Sequence, residues 1–389
     1  MTDLRASLNI VIKMSKYRDA KWRKVMQELP YCQPPYSKKN WGNPNHSLCS
    51  YQGKLKPAIA NFLVQTFVPK GGRVLDPFSG VGTIPFEAAL NGKKSFGIDI
   101  SPLAFYVSSA KVQLCSEDLC NEFISQLSEY IANNEPTPEY IQQNARFGYN
   151  KTLGEYYEPN TFKEILSARQ FFQQNPPTKP EEFLVISSLL HILHGNRPYA
   201  LSRKSHPIVP YAPSGEFVYK SLIEKVSEKV KKSLNSEMPK IFQEGQIFLG
   251  DSTKHWDDQI EDLDAIITSP PFYDSTKFYM ANWIRLWFTG WNEDTFNSEP
   301  EKYVDEKQKV SFDIYDSIFE NARERLKQGG YFVMHLGKSD KCNMGEILRE
   351  KALHYFRKAK LYSEDVTATE KFGIVDIGSV SEHQYLVIE

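Results

Sequence analysis

The chain has 389 residues, enough to bury a sizeable core as one large domain with an insertion or as two smaller ones. Its 41% hydrophobic and 24% charged residues are ordinary for a globular protein, and a formal net charge of −1 does not advertise a polyanionic partner for the whole chain. There is no apolar run of ~18 residues to span a membrane and no apolar core behind the amino terminus to mark secretion. The five cysteines contain no Cys-x-x-Cys pair, so a disulfide framework and a metal site are disfavoured and a reducing cytoplasm fits.

Residues 1–40 carry nine Lys/Arg against three acids and read as a basic arm, helical from Leu4 to Glu28 and broken by Pro30, Pro34 and Pro35. Such charge either faces phosphate or only solvates a surface. Leu55, Ile59, Phe62, Leu63 and Phe67 then recur at helical spacing. An apolar strand, Arg73-Val74-Leu75-Asp76, enters Pro77-Phe78-Ser79-Gly80-Val81-Gly82-Thr83, and a helix follows to Leu90 with Asn91-Gly92 as its stop. Gly80 and Gly82 allow close approach of the backbone to a ligand, and the helix amino end offers free N–H groups. A nicotinamide fingerprint would need a small residue where Pro85 stands, which disfavours a dinucleotide pyrophosphate and an oxidoreductase. The next strand, Ser95 to Ile100, brings in Asp99, 23 residues after Asp76, at the place where a ribose diol is usually held. Ser101-Pro102 opens a helix to about Gln113.

From Ser116 to about Gly245 strand–helix alternation gives way to helices. Leu119, Phe123, Ile124, Leu127 and Ile131 form one stripe, and Phe183, Ile186, Leu189, Leu190 and Leu193 a second. A third helix, about Glu216 to Leu234, sets Leu222, Val226, Val230 and Leu234 opposite several lysines. These stripes read as core. The loop Asn196 to Pro207 holds Arg197, Tyr199, Arg203 and Lys204; it suits a groove reader, because Arg and Asn pair with base edges and Lys meets phosphate, and it suits equally a brace between the insertion and the rest.

Alternation resumes at Gln246–Leu249, ending near Asp251, and then at Leu263-Asp264-Ala265-Ile266-Ile267. That last run leads into Thr268-Ser269-Pro270-Pro271-Phe272. Two prolines cannot continue a ladder, so the chain turns there into the crevice where open α/β sheets bind ligands. The stretch reads either as a turn after a core strand or as a site for a flat base bearing an amine. In the second reading the Ser269 hydroxyl and the Pro270 carbonyl accept the two amine protons, and Phe272 stacks on a base that has left its duplex. Tyr273 and Lys277 follow in the same loop, and Tyr279, Trp283, Leu286 and Trp287 repeat at helical spacing as packing. A helix from Tyr315 to Leu326, a strand Tyr331–Leu336, a helix from Met344 to Phe356 and strands Leu361–Thr369 and Gln384–Ile388 complete the chain.

Asp-Pro-Phe-x-Gly-x-Gly-Thr together with Ser-Pro-Pro-Phe resembles the S-adenosylmethionine-dependent amino-methyltransferases of DNA, which modify N4 of cytosine or N6 of adenine. The resemblance covers about 200 residues. It implies an α/β fold, a Rossmann-like seven-stranded methyltransferase sheet, mostly parallel with an antiparallel edge hairpin, formed by residues 41–115 and 246–389. Residues 116–245 then form a helical insertion and candidate target-recognition region, with the arm of residues 1–40 outside the fold. It also implies that Asp76, Phe78, Gly80, Gly82 and Thr83 line the methionine pocket, Asp99 holds the ribose, Asp251 lies beside the adenine, and Ser269, Pro270, Pro271 and Phe272 form the catalytic motif. Tyr51 to Pro57 resembles the segment that closes over the methionine end, and it reads as well as a loop before a structural helix. A leading serine leans towards cytosine N4, with adenine N6 as the alternative. Double-stranded DNA with a flipped base is the expected partner, along with a possible cognate restriction nuclease and no membrane. The competing readings are an RNA amino-methyltransferase and a catalytically silent DNA-binding protein.

Overall fold

The computed structural model describes residues 17–38, 41–51, 53–149, 152–193, 218–273, 277–366, 370–371, 374–375 and 380–389. Residues 17–28 form helix α1, followed by α2 (Pro57–Phe67), β1 (Arg73–Asp76), α3 (Thr83–Leu90), β2 (Lys94–Asp99) and α4 (Pro102–Val112). The insertion supplies α5 (Glu117–Asn133), α6 (Pro138–Ala145), α7 (Leu153–Tyr156), α8 (Pro159–Gln174), α9 (Pro180–Leu193) and α10 (Leu222–Leu234). After β3 (Gln246–Leu249) and β4 (Leu263–Thr268) come α11 (Phe278–Ala281), α12 (Trp283–Phe288), α13 (Glu293–Ser298), α14 (Val304–Val310) and α15 (Ile314–Arg325). The chain closes with β5 (Leu326–Ser339), α16 (Met344–Ala352), β6 (Ala359–Asp365) and β7 (Val380–Ile388).

The main sheet has seven strands in the spatial order β3-β2-β1-β4-β5-β7-β6. β1 to β5 pair in parallel, and β7 enters antiparallel between β5 and β6. The expected fold class is therefore the observed one. Strand order reverses between β1 and β4, so the carboxyl ends of these two strands flank the crevice in which such sheets bind ligands. Period-two alternation buries both faces. Val74, Ala265, Ile267 and Val333 pack with α1 and α2, while Leu75, Ile266, Phe332 and Met334 pack with α15 and α16.

Part of the arm belongs to this core. Trp22 of α1 is 1% exposed, and its ring lies 5.5 Å from Phe67 and 5.2 Å from Tyr385. Its basic residues reach the amino-terminal side of the sheet: Arg18 donates to the Gly329 carbonyl (3.4 Å) and Lys21 to that of Gln65 (2.7 Å). The insertion lies against α4 and α12 rather than standing apart. Leu103 and Val107 share one cluster with Phe183, Leu189, Val226 and Trp287. Arg285 of α12, buried, donates to the Leu190 carbonyl (2.9 Å) and to Ser50, and Arg169 of α8 donates to the Trp287 carbonyl (2.9 Å).

Some boundaries differ from expectation. The stripe on α5 is Cys120, Phe123, Ile124 and Leu127, whereas Leu119 is 50% exposed. β5 begins at Leu326, five residues before the apolar run that marks it in the sequence. The loop with Arg197, Tyr199, Arg203 and Lys204 lies outside the described residues.

Candidate active site

The site grows from the carboxyl ends of neighbouring strands. β1 ends in Asp76, and the turn after it needs left-handed backbone at Gly80 (φ 49°) and Gly82 (φ 70°). A Cβ on Gly82 would stand 2.6 Å from that of Ser108, so only glycine lets α3 begin this close to α4. At Gly80 a Cβ would point at the Tyr51 ring, 3.8 Å away. Tyr51, from the segment before α2, therefore roofs the glycine turn, with its ring 5.0 Å from that of Phe278.

Asp99, at the end of β2, accepts the Gly80 N–H (2.8 Å) on Oδ2 and the Ser101 N–H (2.9 Å) on Oδ1, which ties the turn after β1 to the entry of α4. Asp76 Oδ1 accepts the Thr268 hydroxyl (2.6 Å) and the Phe78 N–H (3.1 Å). The Thr268–Asp76 bond pins the end of β4 to the end of β1 across the point where strand order reverses. Burial pushes Asp76 up to about 7 and Asp99 up to about 6, against hydrogen bonds that favour their charged forms. Among the described residues neither carboxylate pairs with a cation, and the buried Ser79 hydroxyl lacks a partner.

Beyond Thr268, the Ser269 hydroxyl lies 3.0 Å from His335 Nδ1 of β5. Gln308 of α14 donates to the Pro271 carbonyl (3.0 Å) and accepts the Tyr315 hydroxyl proton (3.0 Å), fixing the second proline from the far side. Phe272 packs near His335, ring centroids 5.4 Å apart. It fits there only because position 337 is glycine, where a Cβ would come 2.6 Å from the ring. Tyr273 turns onto Phe312 (6.0 Å, 18° between planes), and the Lys277 ammonium rests 5.8 Å over Tyr279.

Asp251, just past β3, accepts Thr253 on Oδ1 and Lys307 of α14 on Oδ2 (3.0 Å). Burial pushes its carboxyl up, but these hydrogen bonds outweigh burial and hold it below the usual range. α14 thus spans the site, meeting Asp251 through Lys307 and Pro271 through Gln308. The phenol of Tyr303, the residue preceding it, is pushed up by burial and then by the charge of Asp99. The structure brings Asp76, Phe78, Gly80, Gly82, Thr83, Asp99 and Asp251 to one edge of the sheet with Ser269, Pro270, Pro271 and Phe272. Sequence reasoning missed Thr268, His335, Gln308, Tyr303 and Gly337; the available signal was a histidine inside the otherwise apolar strand Tyr331–Leu336.

The carboxyl ends of β1, β2 and β3 thus carry three acids in a row, Asp76, Asp99 and Asp251, of which the third is paired with Lys307. No helix among the described residues is long and apolar enough to cross a membrane, and they contain no metal-binding cluster.

Residues 11–110 match the N6/N4 methyltransferase family, described as DNA methylase. The Type II methyltransferase M.BsoBI of Geobacillus stearothermophilus is 25% identical over 342 residues, 73% of this chain, and the match spans 65% of that protein's length. Among solved structures, TrmN from Thermus thermophilus aligns at 13% identity and TM-score 0.34, over 89% of this chain and 51% of that one. The rRNA methyltransferase aviRa from Streptomyces viridochromogenes aligns at 10% identity and TM-score 0.32, over 88% of each chain. The glycine turn of residues 77–83 lies within the stretch that matches the DNA methylase family, and over that stretch the chain is similar to the N6/N4 methyltransferases of DNA.

Proposed function

We propose that the protein methylates the exocyclic amine of a base flipped out of duplex DNA, most readily N4 of cytosine, at a specific sequence. The observation that carries this reading is that Thr268 binds Asp76 at 2.6 Å, which ties the end of β4, where Ser-Pro-Pro-Phe begins, to the end of β1, where the glycine turn begins. Asp76, Phe78, Gly80, Gly82 and Thr83 would hold the methionine part of S-adenosylmethionine, Asp99 the ribose and Asp251 the adenine side. When bound, the cofactor supplies an already electrophilic methyl group on a sulfonium. The protein's own task is alignment and exclusion of water, with no covalent enzyme intermediate.

An exocyclic amine is a weak nucleophile because its lone pair is delocalised into the ring. The Ser269 hydroxyl and the Pro270 carbonyl would accept its two protons and favour a pyramidal nitrogen, while Phe272 stacks on the ring. The serine at the head of the motif supports cytosine. Arg197, Tyr199, Arg203 and Lys204 would contact DNA from the insertion, with Tyr273 and Lys277 beside the base, and the enzyme would act as companion to a restriction nuclease or alone.

Incubation with labelled S-adenosylmethionine and unmethylated DNA, followed by nucleoside mass spectrometry, tests this. N4-methylcytosine is expected, and Ser269→Ala should slow its formation by ~100-fold, the cost of losing a preorganised hydrogen bond at the reacting group. N6-methyladenine would reverse the base while keeping the mechanism. Label in RNA and none in DNA would refute the DNA reading.

A further inference from the structure

His335 has no place in the catalytic motif, yet it is the residue that touches Ser269. It lies on β5, opposite Tyr385 of β7, and is 4% exposed. Its Nδ1 is 3.0 Å from Ser269 Oγ, and its Nε2 has no polar partner among the described residues. Three rings close around the imidazole, with centroids at 4.9 Å (His383), 5.1 Å (Tyr385) and 5.4 Å (Phe272). Burial, then the neighbouring His383, holds its pKa well below the usual histidine range, so the ring is neutral and one nitrogen carries the proton. A buried N–H can settle against an aromatic face, whereas a buried lone pair there meets the negative side of the ring quadrupole. The proton therefore belongs on Nε2. Nδ1 is then an acceptor, and the Ser269 hydroxyl must donate to it.

We propose that His335 is a positioning residue that commits the single proton of Ser269 inward, so that the serine presents only lone pairs to the crevice. The inference rests on the amine-methylation reading and deepens it into a rule of selectivity. A hydroxyl whose proton is engaged can accept from an amine but has nothing to donate to a carbonyl oxygen. Cytosine and adenine carry an amine at the corresponding ring position, whereas thymine, uracil and guanine carry an oxygen there. Discrimination against those three bases would thus be set by a residue 66 positions beyond the serine it orients.

Two measurements decide it. In the full-length protein without DNA or cofactor, long-range nitrogen–proton NMR of labelled histidines, with His335→Asn used to assign the signal, should show His335 protonated on Nε2. In turnover, His335→Ala should lower kcat about tenfold or more with KM for DNA unchanged, the scale of one oriented hydrogen bond. His335→Asn, whose amide oxygen can take the place of Nδ1, should recover most of that loss. A proton on Nδ1 overturns the proposal even if a variant fails to fold, as does His335→Ala with wild-type kcat. Should the wild-type protein methylate no DNA, the proposed function fails, while the NMR result still decides the orientation of Ser269.

Discussion

Asp76 and Asp99 are carboxylates placed where burial makes their charge costly. With pKa values raised to about 7 and about 6, both hold more protons in the folded protein than in the unfolded chain. The sign follows directly: these groups favour folding most at low pH, and their contribution falls as pH rises from about 4 through the folded values. A cation arriving beside them reverses the balance by favouring the charged forms, so it lowers both pKa values and displaces protons. Binding of S-adenosylmethionine should therefore release protons near pH 6.5 and weaken as pH falls below about 6. Calorimetry in two buffers of different ionisation enthalpy reads this. Proton uptake, or no exchange at pH 6.5, would place the cofactor's positive charge away from the two acids.

At the scale of elements, β5 does more than complete the sheet. It carries His335 behind Ser269, and two residues later Gly337 makes room for Phe272. Gly337→Ala puts a methyl group 2.6 Å from that ring. Phe272 is half-buried, so it can swing away while the strand keeps its pairing with β7. The expected result is a stable protein with KM for DNA raised roughly tenfold or more, the value of a lost stacking platform. An unaltered KM would separate Phe272 from the base. The same elements mark what the sequence made legible. Asp76 to Thr83 and Ser269 to Phe272 each hold their chemistry within one continuous stretch, so turn and strand patterns suffice to find them. The bonds Ser269–His335, Pro271–Gln308 and Asp251–Lys307 join residues 66, 37 and 56 positions apart, and no local pattern encodes them. On α5 the small thiol of Cys120 occupies a core position that a count of large apolar residues assigned to Leu119. β5 begins early because Leu326 already pairs with Leu263 of β4; Lys327 to Gly330 then bulge out at a register shift, with Gly329 at φ 80°, before pairing resumes at Tyr331.

Across the whole molecule the question is whether the insertion is a separable module, as target-recognition regions can be, or part of one cooperative body. α4 answers it physically. Leu103 and Val107 are fully buried on a helix that flanks the sheet, and their cover is α9 and the helices around it. Removing residues 116–245 would strip that cover, exposing a continuous apolar surface, and would also take the Leu190 carbonyl away from the buried Nε of Arg285. On the side of the sheet lined by α2, Trp22 draws α1 into the core, so the described part of the arm is no more detachable. We therefore expect one cooperative unfolding transition, with calorimetric and van't Hoff enthalpies in agreement. We also expect S-adenosylmethionine, for which the proposed function uses no residue of α5 to α10, to raise that single transition as a whole. Two transitions, with only one shifted by the cofactor, would show that the insertion folds by itself and that its contact with α4 is a docking surface rather than a core.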